Sequence, residues 1–118
     1  MKYSKNPVIQ MKTGKVATEN IGECLALNYD FDLPTAPGLP VIGITPLGGI
    51  YKNHAISVIS YGEAIAIADG AITEGDLLFA TTDGKVSTVA AAEIAFARAL
   101  ETVADGEKLK VLVFKRGA

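Results

Sequence analysis

The chain has 118 residues and a mass of 12.3 kDa, the size of one domain, and a core of that size buries roughly two-thirds of the surface its unfolded chain exposes. It is 49% hydrophobic and 20% charged with mean hydropathy +0.30, which excludes a disordered chain, because only apolar burial offsets ordering entropy. Eleven basic against thirteen acidic residues, a formal charge of −2 and a pI near 5.3 exclude a dedicated nucleic-acid binder, which needs a net basic field.

The start, Met1-Lys2-Tyr3-Ser4-Lys5, carries the charge of a secretory leader but not its apolar run. Val8-Ile9 is broken by Gln10 and Lys12, whereas a leader needs about 7–15 apolar residues and a membrane span about 20. The expected product is soluble, made in the cytosol, with no membrane partner. Lys2, Lys5, Lys12 and Lys15 face no acid before Glu19, so residues 1–18 read as an extended, basic N-terminal arm and residues 19–118 as one folded domain.

Cys24 is the single cysteine, which forbids an intramolecular disulfide and a cysteine-built zinc site; within the apolar, strand-like run 22–27 it is expected to be buried and inert. Asp30 and Asp32 flank Phe31 with the alternation that supplies calcium ligands, but Leu33-Pro34 interrupts the series, so a solvated turn is expected. Pro34, Pro37, Pro40 and Pro46 remove too many backbone donors for a central strand and predict a stiff loop or a sheet edge. Residues 48–54 read as an exposed loop carrying Tyr51 and Lys52, after which 55–61 returns to strand.

Glu63-Ala64-Ile65-Ala66-Ile67-Ala68 alternates large with small, which suits a tightly curved strand with its bulky side chains on the concave side. Leu77-Leu78-Phe79-Ala80-Thr81 and Lys85-Val86-Ser87-Thr88-Val89 flank Asp83-Gly84, a strong signal for a hairpin with a type I′ turn. Residues 90–101 have helical composition, yet Ile94, Phe96, Arg98 and Leu100 share one parity and no cap opens a helix. A strand over 94–101 is predicted, with at most one helical turn before it. After Asp105-Gly106 a closing strand places Leu109, Val111 and Val113 on one face, with Leu112 and Phe114 on the other, so that its end is expected to be covered on both sides. Short strands separated by turn signals throughout make the fold all-β, a small single-domain β-barrel or β-sandwich.

Catalytic groups are sparse. His54 is the single histidine, which removes the common imidazole-based metal clusters; it lies near Ser57 and Ser60 in sequence, but no Gly-x-Ser-x-Gly elbow and no Gly-Lys-Ser/Thr phosphate loop are present. The chain is therefore expected not to be an enzyme and to carry no cofactor or metal. Tyr29, Tyr51 and Tyr61 leave open an alternative, a small-molecule or carbohydrate-binding β-module with stacking tyrosines. Between Asn53 and Glu107 only Lys85 and Arg98 oppose Glu63, Asp69, Glu74, Asp76, Asp83, Glu93, Glu101, Asp105 and Glu107. The two termini are basic, and either dock on an acidic surface or act as solubilising tails.

Several motifs follow one another in a specific order. Ile72-Thr73-Glu74-Gly75-Asp76-Leu77-Leu78 fits I-x-x-G-D-x-L/V, and Thr82-Asp83-Gly84-Lys85-Val86 ends a hairpin in D-G-K/x-V. Ala97-Arg98-Ala99-Leu100-Glu101 fits G/A-R/x-A-L-E, Ala104-Asp105-Gly106-Glu107 fits A-x-x-G-E/D, and an upstream strand, Val41-Ile42-Gly43-Ile44-Thr45, fits V-G-I/V-A. In this order the series, over roughly residues 40–114, resembles the phage capsid-cement proteins, a family of small head-decoration proteins. The resemblance implies a structural virion protein, made in the host cytoplasm, that binds the outer capsid surface and stabilises the shell by bridging copies of the phage major capsid protein. It implies homo-oligomers, commonly trimers, and no catalytic group. The chain departs from the pattern in its first forty residues and in the longer loop 46–54, where capsid-specific contacts are expected: Lys2, Tyr3, Lys5, Pro7, Val8 and Ile9 in the arm, Tyr51 and Lys52 in the loop.

Overall fold

The computed structural model describes residues 10–16, 20–35, 40–46, 48–88 and 95–114, and among them there are strands and turns but no helix. Eight strands occur: β1 (Gln10–Val16), β2 (Ala26–Leu27), β3 (Gly43–Ile44), β4 (Ala55–Ile67), β5 (Leu77–Ala80), β6 (Val86–Ser87), β7 (Ala97–Ala99) and β8 (Lys108–Val113). They pair antiparallel in the order β2-β3-β4-β8-β7-β5-β6, with β1 also on β4. Two contacts turn this path back on itself. A parallel bridge joins Ala68 to Val86, where Asp69 N–H donates to the Val86 carbonyl at 2.8 Å, and Ala26 N–H donates to the Gly84 carbonyl at 2.7 Å. The sheet is thus a nearly closed, all-β barrel whose end strands are both engaged, the usual protection of exposed edges.

β4 organises the molecule because it is long enough to serve two cores. Its first half pairs with β1 and β3 and sends Ile56 and Val58 into a small cluster with Ile21 and Leu27. Gly62, at φ 109, lies where the strand passes to β8, and a conformation open to glycine lets it bend there. In the second half Ala64 and Ala66, with Ala68 just beyond, face the main core, while Ile65 and Ile67 are half-buried on the outside. The alternation is as read, but the bulky residues are not on the concave side. The barrel interior is already filled by Phe96, Leu78, Leu109 and Ile72, so β4 supplies the small partners. Burying each of those large side chains contributes roughly 1.5–3 kcal/mol.

The proline-rich stretch also holds a correction. β3 is neither loop nor edge but lies between β2 and β4, using two of the five residues that stand between Pro40 and Pro46. Its flanks are bonded too, Ile42 N–H to the Leu27 carbonyl and Thr45 N–H to the Leu25 carbonyl, each at 2.8 Å. Thr45, fully buried, accepts from Leu25 N–H and donates to the Gly22 carbonyl, both at 2.9 Å, and so holds the turn that contains Cys24. Cys24 is completely buried, as expected, but in a turn at φ 59 rather than in a strand; burial pushes its thiol pKa up.

The predicted hairpin forms between β5 and β6, but its turn is not type I′: Gly84 has φ 82, whereas Asp83 has no positive φ. Gly84 N–H donates to the Thr81 carbonyl and Thr81 N–H to the Lys85 carbonyl, the pattern of a type I turn followed by a left-handed glycine. β7 is a strand, as read, but only over Ala97–Ala99, and its core face carries Ala97 and Ala99; Ile94 lies outside the described residues. In β8, Leu109, Val111 and Val113 are buried as the spacing predicts. Leu112 is 37% exposed and Phe114 half-buried, so the outer face of its end is only partly covered. Within the segment read as an arm, residues 10–16 form β1, and residues 1–9 lie outside the described residues.

Candidate binding surface

The loop after β3 is held from both sides by the chain that precedes β2. Ile21 and Ile50 exchange two backbone hydrogen bonds of 2.8 Å, and Lys52 N–H donates to Asn20 Oδ1 at 2.7 Å. Gly48 N–H donates to Glu23 Oε1 at 3.0 Å. Gly49, at φ 67, lets the loop pass so close that a Cβ there would stand 2.5 Å from the Ile21 carbonyl oxygen. The turn is closed by His54 N–H on the Tyr51 carbonyl, with Asn53 at φ 71, a conformation asparagine tolerates better than most residues. Tyr51 is 64% exposed, Lys52 and His54 are exposed, and the rings of Tyr51 and His54 meet edge-on at 6.2 Å. The loop therefore displays an aromatic ring, a cation and an imidazole on a fixed backbone.

The remaining candidates are distributed. Lys2, Tyr3, Lys5, Pro7, Val8 and Ile9 lie outside the described residues. Tyr29 and Tyr61 are exposed, on the turn after β2 and on β4 respectively, and among the described residues neither has a ring contact with Tyr51. Ser57 spends its hydroxyl on Thr13 at 3.0 Å, and the His54 ring lies against Tyr51. Asp30 and Asp32 are exposed in a turn organised by Asn28, whose Oδ1 accepts from both of their backbone N–H groups. Phe31, at φ 63, is half-buried over Gly14 of β1, where a Cβ would stand 2.5 Å from its ring.

Sequence reasoning missed Asn20 and Glu23 as the anchors of the loop. Glu23 also pairs with Lys108 at the start of β8, so one carboxylate ties loop, turn and barrel together. The Lys108 hydrogen bond, then that from Gly48, holds the Glu23 carboxyl below its ordinary pKa of 4.5. Such a group adds stability that is complete above pH 4.5 and is lost as pH falls through the lowered folded value. Glu23→Gln is therefore expected to flatten the acid limb of a melting-temperature profile below pH 4.5, by a modest amount because both partners are exposed and screened. Parallel profiles for the two proteins would show that the pair adds nothing.

No protein-family model matches the chain, and no curated protein matches it in sequence. Among solved structures it is similar to the crystal structure of the head fiber gp8.5 N base in bacteriophage phi29, with a TM-score of 0.57 and 18% sequence identity. The likeness covers 90% of this chain and 94% of that one, so the two share a fold over nearly their whole lengths.

Proposed function

We infer that the chain is a structural protein of a phage virion, which seats on the outer capsid surface and stabilises the shell by bridging major capsid subunits. The observation that carries this reading is the fold shared with a phage head-fiber base across almost all of both chains. The ordered motif series between Gly43 and Val113, with its resemblance to capsid-cement proteins, supports it independently. Such work is non-catalytic and needs surface complementarity alone, and many equal contacts on one shell multiply modest single-site affinity. The protein is made in the host cytoplasm and acts as a small homo-oligomer, with three copies favoured.

The loop suits this role. Its backbone is fixed on folding through Asn20, Ile21 and Glu23, so little ordering entropy remains to be lost when Tyr51 and Lys52 meet a neighbour. Lys2, Tyr3, Lys5, Pro7, Val8 and Ile9 would add an extended contact in which the apolar pair supplies burial and the lysines orientation.

The test is occupancy on isolated capsids of the phage that encodes the chain. Saturable binding is expected. Tyr51→Ala should weaken it by about thirtyfold if the ring is an anchor, and deletion of residues 1–9 should weaken it further. A protein that decorates no capsid at any salt concentration would overturn the reading, and glycan binding by that same protein would move it to the carbohydrate-module class.

A further inference from the structure

Four positions line up across the outer face of the barrel: Glu63 on β4, Leu112 on β8, Arg98 on β7 and Leu77 on β5 are successive cross-strand partners. All four are exposed, Leu77 at 44% and Leu112 at 37%. In the next row Ile65 and Leu100, both half-buried, flank Lys110, and Ile67 extends the apolar surface along β4. The face is therefore an apolar field crossed by Glu63 and Arg98 on opposite sides of Leu112, with Lys110 in the row beside them.

Neighbouring strands stand about 4.8 Å apart, so the backbones at Glu63 and Arg98 are separated by two strand spacings, roughly 10 Å, with Leu112 between them. Among the described residues Glu63 has no ion pair. Arg98 is already oriented, since its Nη1 donates to the Gly75 carbonyl at 2.8 Å and leaves further guanidinium donors for another acceptor.

We propose that this face is a self-association surface, in which Glu63 of each copy pairs with Arg98 of the next around a rotation axis running along β8. Such an axis brings the β4 side of one copy onto the β7 side of its neighbour and gathers the Leu112 side chains at the centre. The geometry closes for two copies face to face and for three in a ring, because both are cyclic arrangements with the same side-to-side contact. Of the lysines of β8, Lys108 is paired with Glu23, while exposed Lys110 stands beside the axis, with Glu101 Oε1 accepting from its backbone N–H at 2.9 Å, so the Leu112 contact and the two Glu63–Arg98 pairs must outweigh the approach of the Lys110 ammonium groups. The occupant is thus a second copy of this chain, matched in apolar surface and in the Glu63 and Arg98 charges. This deepens the virion reading, whose self-association it rests on, by naming the surface through which copies hold one another.

Sedimentation equilibrium of the full chain tests it by charge exchange. Glu63→Arg or Arg98→Glu alone sets like charges against each other and should raise the dissociation constant at least about tenfold, and the double exchange should return it to within about threefold of the original. Leu112→Asp should dissociate the assembly while its melting transition stays cooperative, because the position is solvent-facing in one copy. A chain that is monomeric throughout, single exchanges without effect, or a double exchange that does not recover association would each overturn the proposal. Capsid occupancy measured on the same variants separates the two inferences: a monomer that still decorates capsids sinks this one alone, and a rescued oligomer that decorates none sinks only the capsid reading.

Discussion

Gly43→Val is expected to be the most damaging single change in the barrel, costing about 3 kcal/mol or more. Gly43 does not adopt a left-handed φ, so the requirement is one of space. A Cβ there would stand 2.5 Å from the Ile59 carbonyl oxygen, 2.9 Å from the Ile59 carbonyl carbon and 2.8 Å from Val58 Cγ2. Backbone atoms of β4 cannot swing aside as a side-chain tip can. Relief requires β3 to withdraw, which breaks the Ile44 to Ile59 pairing and then the two pairs that hold β2, since β3 is only two residues long. The buried Thr45 would lose its place over Leu25 and Gly22 in the same step. Gly70→Ala is the useful comparison: a Cβ there meets nothing within 4 Å, and its φ of 95 leaves only backbone strain, about 1–2 kcal/mol. Chemical denaturation of both variants checks the ranking, and equal losses would show that β3 and β4 are not so closely apposed.

The all-β fold was legible because its signals are local. Period-two burial in β8 and the turn at Gly84 are set by neighbours a few residues away, and both appear in the structure. What was not legible depends on partners distant in sequence. The alternation in residues 63–68 identifies a strand, but which parity faces inward depends on how much volume Phe96, Leu78 and Leu109 bring to the same interior. Proline spacing argues against a long central strand and is silent about a two-residue one, which is how β3 enters the sheet between Pro40 and Pro46. For the candidate surface, Gly48, Gly49 and Asn53 mark the loop and the exposure of Tyr51 and Lys52 follows. Its rigidity does not, because Glu23 and Asn20 act across 25 and 32 residues. The row from Glu63 to Leu77 is further out of reach, since it exists only once four strands are in register.

Gly84→Val is the second large effect expected, about 2–4 kcal/mol, from two causes that add. Its φ of 82 is strained for any side chain and most for a β-branched one, and a Cβ would stand 2.9 Å from Leu33 Cδ2, 3.0 Å from Leu25 Cβ and 3.2 Å from the Ala26 carbonyl oxygen. Those neighbours belong to the far end of the strand order, so the hairpin tip sits where the sheet turns back on itself. A valine there would push the β5–β6 hairpin away from β2, and the Ala26 N–H to Gly84 carbonyl bond of 2.7 Å would open with it. Loss of hydrogen-exchange protection at Ala26, beyond the loss caused by global destabilisation, is the local signature to seek. Asp83→Ala distinguishes the turn types: without a positive φ and exposed, Asp83 should tolerate alanine within about 0.5 kcal/mol. A type I′ turn would instead make both central positions sensitive, so a large loss from Asp83→Ala would refute the turn. Intact protection at Ala26 in Gly84→Val would detach the hairpin from the closure of the barrel.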